Sequence, residues 1–209
     1  MEVISPHTEE VVGRVPDGTA VDIDRAVAAA RTAFDEGEWP RMEPADRIAA
    51  VQRFSHLYAA RMMDMAQVIT TEMGSPITFS QLAQAPAAWM MLNNFIEVAT
   101  AHQWEEERMG VLGSPVIVRS EPVGVVGAIV PWNVPQFVTM SKLAPALLSG
   151  STIVIKPSPE TPLDAFSWPS SSRRPASRRV SSASSPPAVR SSRSPSPAVP
   201  ESSASASMT

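Results

Sequence analysis

Apolar residues in the first hundred positions recur at three- and four-residue intervals, the period of helices that bury one face. Ile23, Val27, Ala30 and Phe34 follow this spacing and predict a helix that Asp22 can cap and Gly37 ends. From Pro44 a longer helix is predicted through Ile48, Val51, Phe54, Tyr58, Met62, Met65 and Ile69, stopping at Gly74-Ser75-Pro76. Its methionines read as gap-filling core. A third helical stretch covers residues 78–102, with a kink expected at Pro86. Ahead of all three, residues 3–15 read as a short strand and turn, punctuated by Ser5-Pro6 and Pro16-Asp17-Gly18.

From Gly110 the period changes from helix to strand. Val116-Ile117-Val118 and Val123-Gly124-Val125-Val126 flank the polar Arg119-Ser120-Glu121-Pro122, a pattern of partly exposed β structure. Val123–Val130 is then a continuous apolar strand, Gln136–Leu148 a helix stopped by Ser149-Gly150, and Thr152–Ile155 a second apolar strand. Strand, helix and strand in so short a span predict a parallel, right-handed βαβ crossover. The fold class expected is α/β: an incomplete doubly wound, Rossmann-like sheet with N-terminal helices and a β-hairpin.

Composition divides the chain at Phe166. Of its 209 residues, the last 43 are almost wholly Ser, Pro, Arg and Ala, with no Leu, Ile, Phe or Gly, so residues 167–209 are expected to be a disordered tail. That tail holds six Arg and one Glu, which leaves residues 1–166 strongly acidic within an overall charge of −4. An acidic domain has no electrostatic reason to seek nucleic acid. No apolar run reaches the ~18 residues of a membrane span and no charged-then-apolar signal opens the chain, so a cytoplasmic location is expected. Cysteine is absent, which excludes disulfides, thiolate metal ligands and a cysteine nucleophile within this chain. With His7, His56 and His102 scattered, no metal site is expected.

In an open α/β sheet, ligands bind beyond the carboxyl ends of the parallel strands. Two loops leave those ends: Pro131-Trp132-Asn133-Val134-Pro135 and Lys156-Pro157-Ser158-Pro159-Glu160. They should lie side by side on one edge. Prolines on both sides of Asn133 restrict the backbone and fix its amide, the kind of donor that stabilises an oxygen gaining negative charge. Lys156 adds a cation at the neighbouring strand mouth. Taken bare, Asn133 also reads as a turn residue bonding its own backbone, and Lys156 as a solvated strand-end charge. The G-x-G-x-x-G fingerprint is missing, because Gly124 and Gly127 fall inside a strand. Trp89, Met90 and Trp104 read as core before pocket, while Val134 and Gln136 border the first loop.

At these residues the sequence resembles the NAD(P)-dependent aldehyde dehydrogenase family. The resemblance runs through Gly124–Asn133, Lys142–Leu147 and Val154–Pro157, and upstream through Gly13–Pro16, Ala26–Phe34 and Thr71–Pro76. It implies that Asn133 donates to the oxyanion of a thiohemiacetal. It further implies that Val130, Pro131, Trp132, Asn133, Lys156, Ser158 and Glu160 contact NAD or NADP, Lys156 bonding the adenine-side ribose. Where the family often has a glutamate three residues after that lysine, this chain has Pro159, and the acid comes one later as Glu160. Gly110–Pro122 resembles the family's hairpin that pairs subunits, so a homo-oligomer is implied. The family oxidises an aldehyde with a cysteine thiolate and a general-base glutamate that lie downstream of the position matching residue 166, so this chain alone is expected to be inactive. Without neighbouring strands, Thr152–Ile155 or Val123–Val130 should present an unpaired apolar edge prone to aggregation.

The tail is read as a frameshift. Back-translated with GC-rich codons and read from the third base, Ser167–Pro187 gives an amphipathic helix, a glycine stop and an apolar strand, the elements a doubly wound sheet needs next. Resequencing that finds the tail's own frame intact would end this hypothesis. Two competing readings are a basic Ser/Arg tail binding RNA, around Arg173-Arg174 and Arg178-Arg179, and a non-catalytic fragment that pairs with intact subunits.

Overall fold

The computed structural model describes residues 1–167. The expected out-of-frame tail lies outside these residues apart from Ser167, and so does Trp168.

Residues 3–15, expected as one strand and a turn, form an antiparallel hairpin of β1 (Glu2–Ile4) and β2 (Val11–Arg14). Glu2 and Arg14 face each other across it and pair at 2.7 Å. Helix α1 (Ala20–Asp35) is capped by Thr19 rather than Asp22, whose carboxylate returns the bond as the second half of a capping box. It ends at Asp35, before Gly37. Its expected apolar face is also rotated. Ala26 and Ala30 are buried against Val154, whereas Val27 is exposed. Alanine lets the helix approach closely enough for the Thr152 hydroxyl to donate to Ala30 O at 3.0 Å.

The single helix expected from Pro44 to Gly74 is two, α2 (Pro44–Ala60) and α3 (Met62–Met73), divided at Arg61 (φ −117°, ψ 15°). Gly74 ends α3 in the left-handed region at φ 78°. The third helical stretch is interrupted as well. After a short turn, α4 (Ile77–Phe79), the backbone widens into a π-turn over Ser80–Gln84 before α5 (Ala85–Ala101). Pro86 sits at the second position of α5, where its missing N–H is not needed, so the expected kink is absorbed by the wide turn.

The polar run Glu105–Met109 forms β3, antiparallel to β4 (Pro115–Arg119), with Glu105 and Arg119 paired at 2.6 Å. The expected hairpin began at Gly110. That residue instead opens the turn, with Gly113 at φ 77°. Both strands are largely exposed, including Val116, Ile117 and Val118. The βαβ unit appears as expected, with β5 (Val125–Ile129), α6 (Pro135–Leu148) and a parallel β6 (Thr152–Lys156). Among the described residues these two strands form a two-stranded sheet.

The core lies between the helices and this sheet, where Trp39, Ile69, Leu92 and Met140 are enclosed. Arg47 of α2 is buried inside it, donating through Nε to Leu148 O at the end of α6 (3.0 Å) and through Nη1 to Met42 O. Its guanidinium lies over the Trp104 ring, 5.3 Å from the ring centre. A last short helix, α7 (Leu163–Phe166), packs on α3 and α6. The Leu163 side chain fills the space where a Cβ on Gly13 would stand, 2.8 Å away, so the N-terminal hairpin closes directly over α7.

Candidate functional site

Parallel pairing sets Ile129 opposite Lys156, and the Val130 amide donates to Lys156 O at 2.9 Å. The loops that follow therefore leave neighbouring strands at the same carboxyl edge, as the sequence predicted. Val130 is buried under this edge, while Pro131, Trp132 and Asn133 are exposed above it. Pro135 supplies the first turn of α6, fixing where the first loop must end. Gln136, one position on, points inward and is buried.

The second loop forms a compact polar cluster. Lys156 is half-buried and donates to Pro157 O at 3.2 Å. A turn follows, closed by the Thr161 amide bonding Ser158 O at 3.2 Å, with Pro159 at the turn position its ring favours. This turn brings the Glu160 carboxylate back onto Ser158, whose hydroxyl donates to it. The Ser158 hydroxyl, then the residue's own amide and the Lys156 charge, hold the Glu160 carboxyl below its ordinary range. The chain thus offers an ammonium donor, a hydroxyl and a charged carboxylate within one loop, a set that suits the vicinal hydroxyls of a ribose.

Behind the two loops lies a pair of acids not singled out in the sequence. Glu72 of α3 accepts the Leu163 amide at 2.6 Å and the Asp164 amide at 3.0 Å, and both acids are buried. Burial, then the neighbouring Asp164 charge, pushes the Glu72 carboxyl well above its ordinary range. Burial raises Asp164 too, opposed first by the Gln136 amide. The sequence did carry a signal for Glu72, because it continues the buried stripe of Met65 and Ile69 at helical spacing. Trp89 and Trp104 pack against the core, whereas Met90 is exposed. Among the described residues there is no group of three or more acids, histidines or cysteines placed to hold a metal, and no helix long and apolar enough to cross a membrane.

Comparison with known proteins identifies the family of the chain. The model of the aldehyde dehydrogenase family matches residues 1–168. Geranial dehydrogenase of Castellaniella defragrans is 37% identical over 164 residues, covering 78% of this chain and 34% of the relative. The 3-succinoylsemialdehyde-pyridine dehydrogenase of a Pseudomonas species is 40% identical over 171 residues, covering 79% and 33%. Among solved structures, a Mycobacterium tuberculosis aldehyde dehydrogenase complexed with NAD+ superposes with a TM-score of 0.78 at 44% identity, covering 81% of this chain and 35% of that one. The chain belongs to the aldehyde dehydrogenase family, and it spans about a third of the length of the curated relatives it matches. An RNA-binding tail and a non-catalytic pairing fragment find no support in these comparisons.

Proposed function

We propose that this chain carries the adenine-side half of an NAD(P) site and the oxyanion donor of an aldehyde-oxidising dehydrogenase. The observation that carries this reading is the shared carboxyl edge, where the Ile129–Lys156 register sets the two loops side by side. Lys156 and Glu160 bind the ribose hydroxyls, as donor and acceptor, with Ser158 holding the carboxylate in place. Val130, Pro131 and Trp132 border the cofactor through their backbone. Asn133 directs its amide at the oxygen of the reacting carbonyl. NAD or NADP supplies the hydride acceptor when bound. Because Glu160 is held charged, it repels a 2′-phosphate and sets NAD ahead of NADP.

The chain contains no cysteine, so alone it does not form the covalent adduct that the family's reaction requires. The full reaction, on an aldehyde of undefined class, takes place in a reducing compartment such as the cytoplasm, which keeps a nucleophilic thiol reduced. The exposed β3–β4 ribbon pairs subunits. The Ser/Pro/Arg/Ala stretch is an out-of-frame reading of the gene, a view supported by the family match stopping at residue 168, beside the change in composition.

Titration of the chain with ADP-ribose, followed by calorimetry, tests the site. Lys156→Ala should weaken binding about tenfold or more, as expected for a lost charged hydrogen bond of ~1.5–3 kcal/mol. Asn133→Ala should leave it unchanged. Glu160→Gln should narrow the preference for ADP-ribose over its 2′-phosphate. Binding that is indifferent to Lys156, or no saturable binding by the native chain, would refute the assignment.

A further inference from the structure

Among the described residues, Glu72 and Asp164 are the acids held in the interior, each 2% exposed. Glu72 uses its two oxygens separately, Oε2 for the Leu163 amide and Oε1 for the Asp164 amide. Those are the first two amides of α7, which have no partner within the helix. A side chain of α3 thereby fixes the start of α7, and Leu163 follows Lys156 by only seven positions. The segment between is short and contains Pro157, Pro159 and Pro162, so a displacement at Leu163 is transmitted to the loop instead of being absorbed. Asp164 completes the connection on the other side, its carboxyl lying beside Gln136 at the second position of α6, next to the Asn133 loop.

Two carboxylates enclosed this closely do not both stay charged, and the proton that relieves them belongs to the pair. Asp164 Oδ2 and Thr161 Oγ1 are enclosed without a hydrogen-bond partner, so the Gln136 side chain and the Ala165 amide offset the second negative charge only in part. Tyr58 from α2 and Gln136 from α6 act on Asp164, while at the far end of α7 Arg61 reaches Ser167 O at 3.5 Å and pairs with Asp64. From the N-terminal hairpin comes the exposed Glu2–Arg14 pair, beside Gly13. We infer that Glu72 is the positioning residue of the Lys156 loop, and that the proton it shares with Asp164 keeps this loop latched to α3. Loss of the proton sets like charges against each other, and α7 moves away from α3. The inference rests on the proposed cofactor site for its meaning, and on the acid pair for its mechanism.

Carbon-detected NMR of the labelled full-length chain tests it, with Glu72 and Asp164 carboxyl shifts followed against pH beside those of Lys156 and Ser158. Both carboxyls should titrate above the ordinary carboxylate range, and the Lys156 and Ser158 shifts should follow with the same midpoints. ADP-ribose affinity should fall about tenfold per pH unit above that titration, the limit for one proton. Asp164→Asn should flatten the fall and bring Glu72 down towards its ordinary range. Glu72→Gln keeps one of the two acceptors and sets its NH2 against the other amide, so it should bind more weakly than the native chain at neutral pH but without the alkaline loss, whereas Glu72→Ala should bind about tenfold or more weakly throughout. Acids that titrate in the ordinary range, or loop shifts that ignore their titration, would overturn the inference. A coupled titration in a chain that never binds ADP-ribose would uphold the latch and refute the cofactor site.

Discussion

Replacing Arg47 by Met should remove a buried polar tie that joins α2 to the end of α6. The guanidinium joins Leu148 O at the end of α6 to Met42 O and stacks on Trp104. Methionine fills a similar volume but leaves both carbonyls without their donor. Each hydrogen bond to a charged group contributes ~1.5–3 kcal/mol, and the ring contact adds about 1 kcal/mol. Allowing for relief of the desolvation that lowers the Arg47 pKa, the net loss should be about 3–5 kcal/mol, comparable with breaking a buried pair from one side. With a urea slope of ~2 kcal/mol per M, the unfolding midpoint should fall by about 2 M. Trp39 and Trp104 lie in or against the core and report the transition by fluorescence. Arg47→Lys keeps the charge but not the planar fork, so it should recover about half the loss. A midpoint for the Met variant within about 0.3 M of the native chain would refute this account of how α6 is anchored.

Stability should fall as pH rises through neutrality. Both buried acids have folded pKa values above their unfolded ones, raised by burial and, for Glu72, also by the neighbouring Asp164 charge. The folded chain therefore binds more protons than the unfolded one, and this contribution is complete below the ordinary carboxylate range and lost as pH passes the folded values. The slope is at most ~1.4 kcal/mol per pH unit for each proton. Urea midpoints measured at several pH values should show the decline, reduced in Asp164→Asn, and a flat profile would contradict it. Asp22 and Asp35 are shifted down by Thr19 and Arg31, so their opposite effect appears only in acid. In the β3–β4 ribbon, Ile117→Lys should reduce self-association in sedimentation without moving the melting temperature, because Ile117 is 65% exposed; unchanged association would argue against pairing through the ribbon.

The βαβ unit was legible because its period changes cleanly and glycines mark its ends. Register then followed from topology, so the juxtaposition of the Asn133 and Lys156 loops could be read before any coordinates. Other features left no such mark. Ala60-Arg61-Met62 contains neither glycine nor proline, so the division between α2 and α3 had no local signal. The strand β3 is a run of charged residues whose stability comes from cross-strand pairs such as Glu105–Arg119, which single-strand periodicity does not register. At α1, the larger side chains suggested the buried face, but close packing against β6 selected the alanines. Glu72 and Asp164 were missed because an acid is read as solvated until a partner segment is known to enclose it.

The clasp of Gly13 by Leu163 bears on the order in which this polypeptide matures on the ribosome. The β1–β2 hairpin is synthesised well before Leu163, yet Gly13 is covered by this side chain, 150 positions later in the sequence. Early residues must wait, half-covered, until that leucine clears the exit tunnel, and a nascent chain arrested short of it would present the hairpin's inner surface to chaperones.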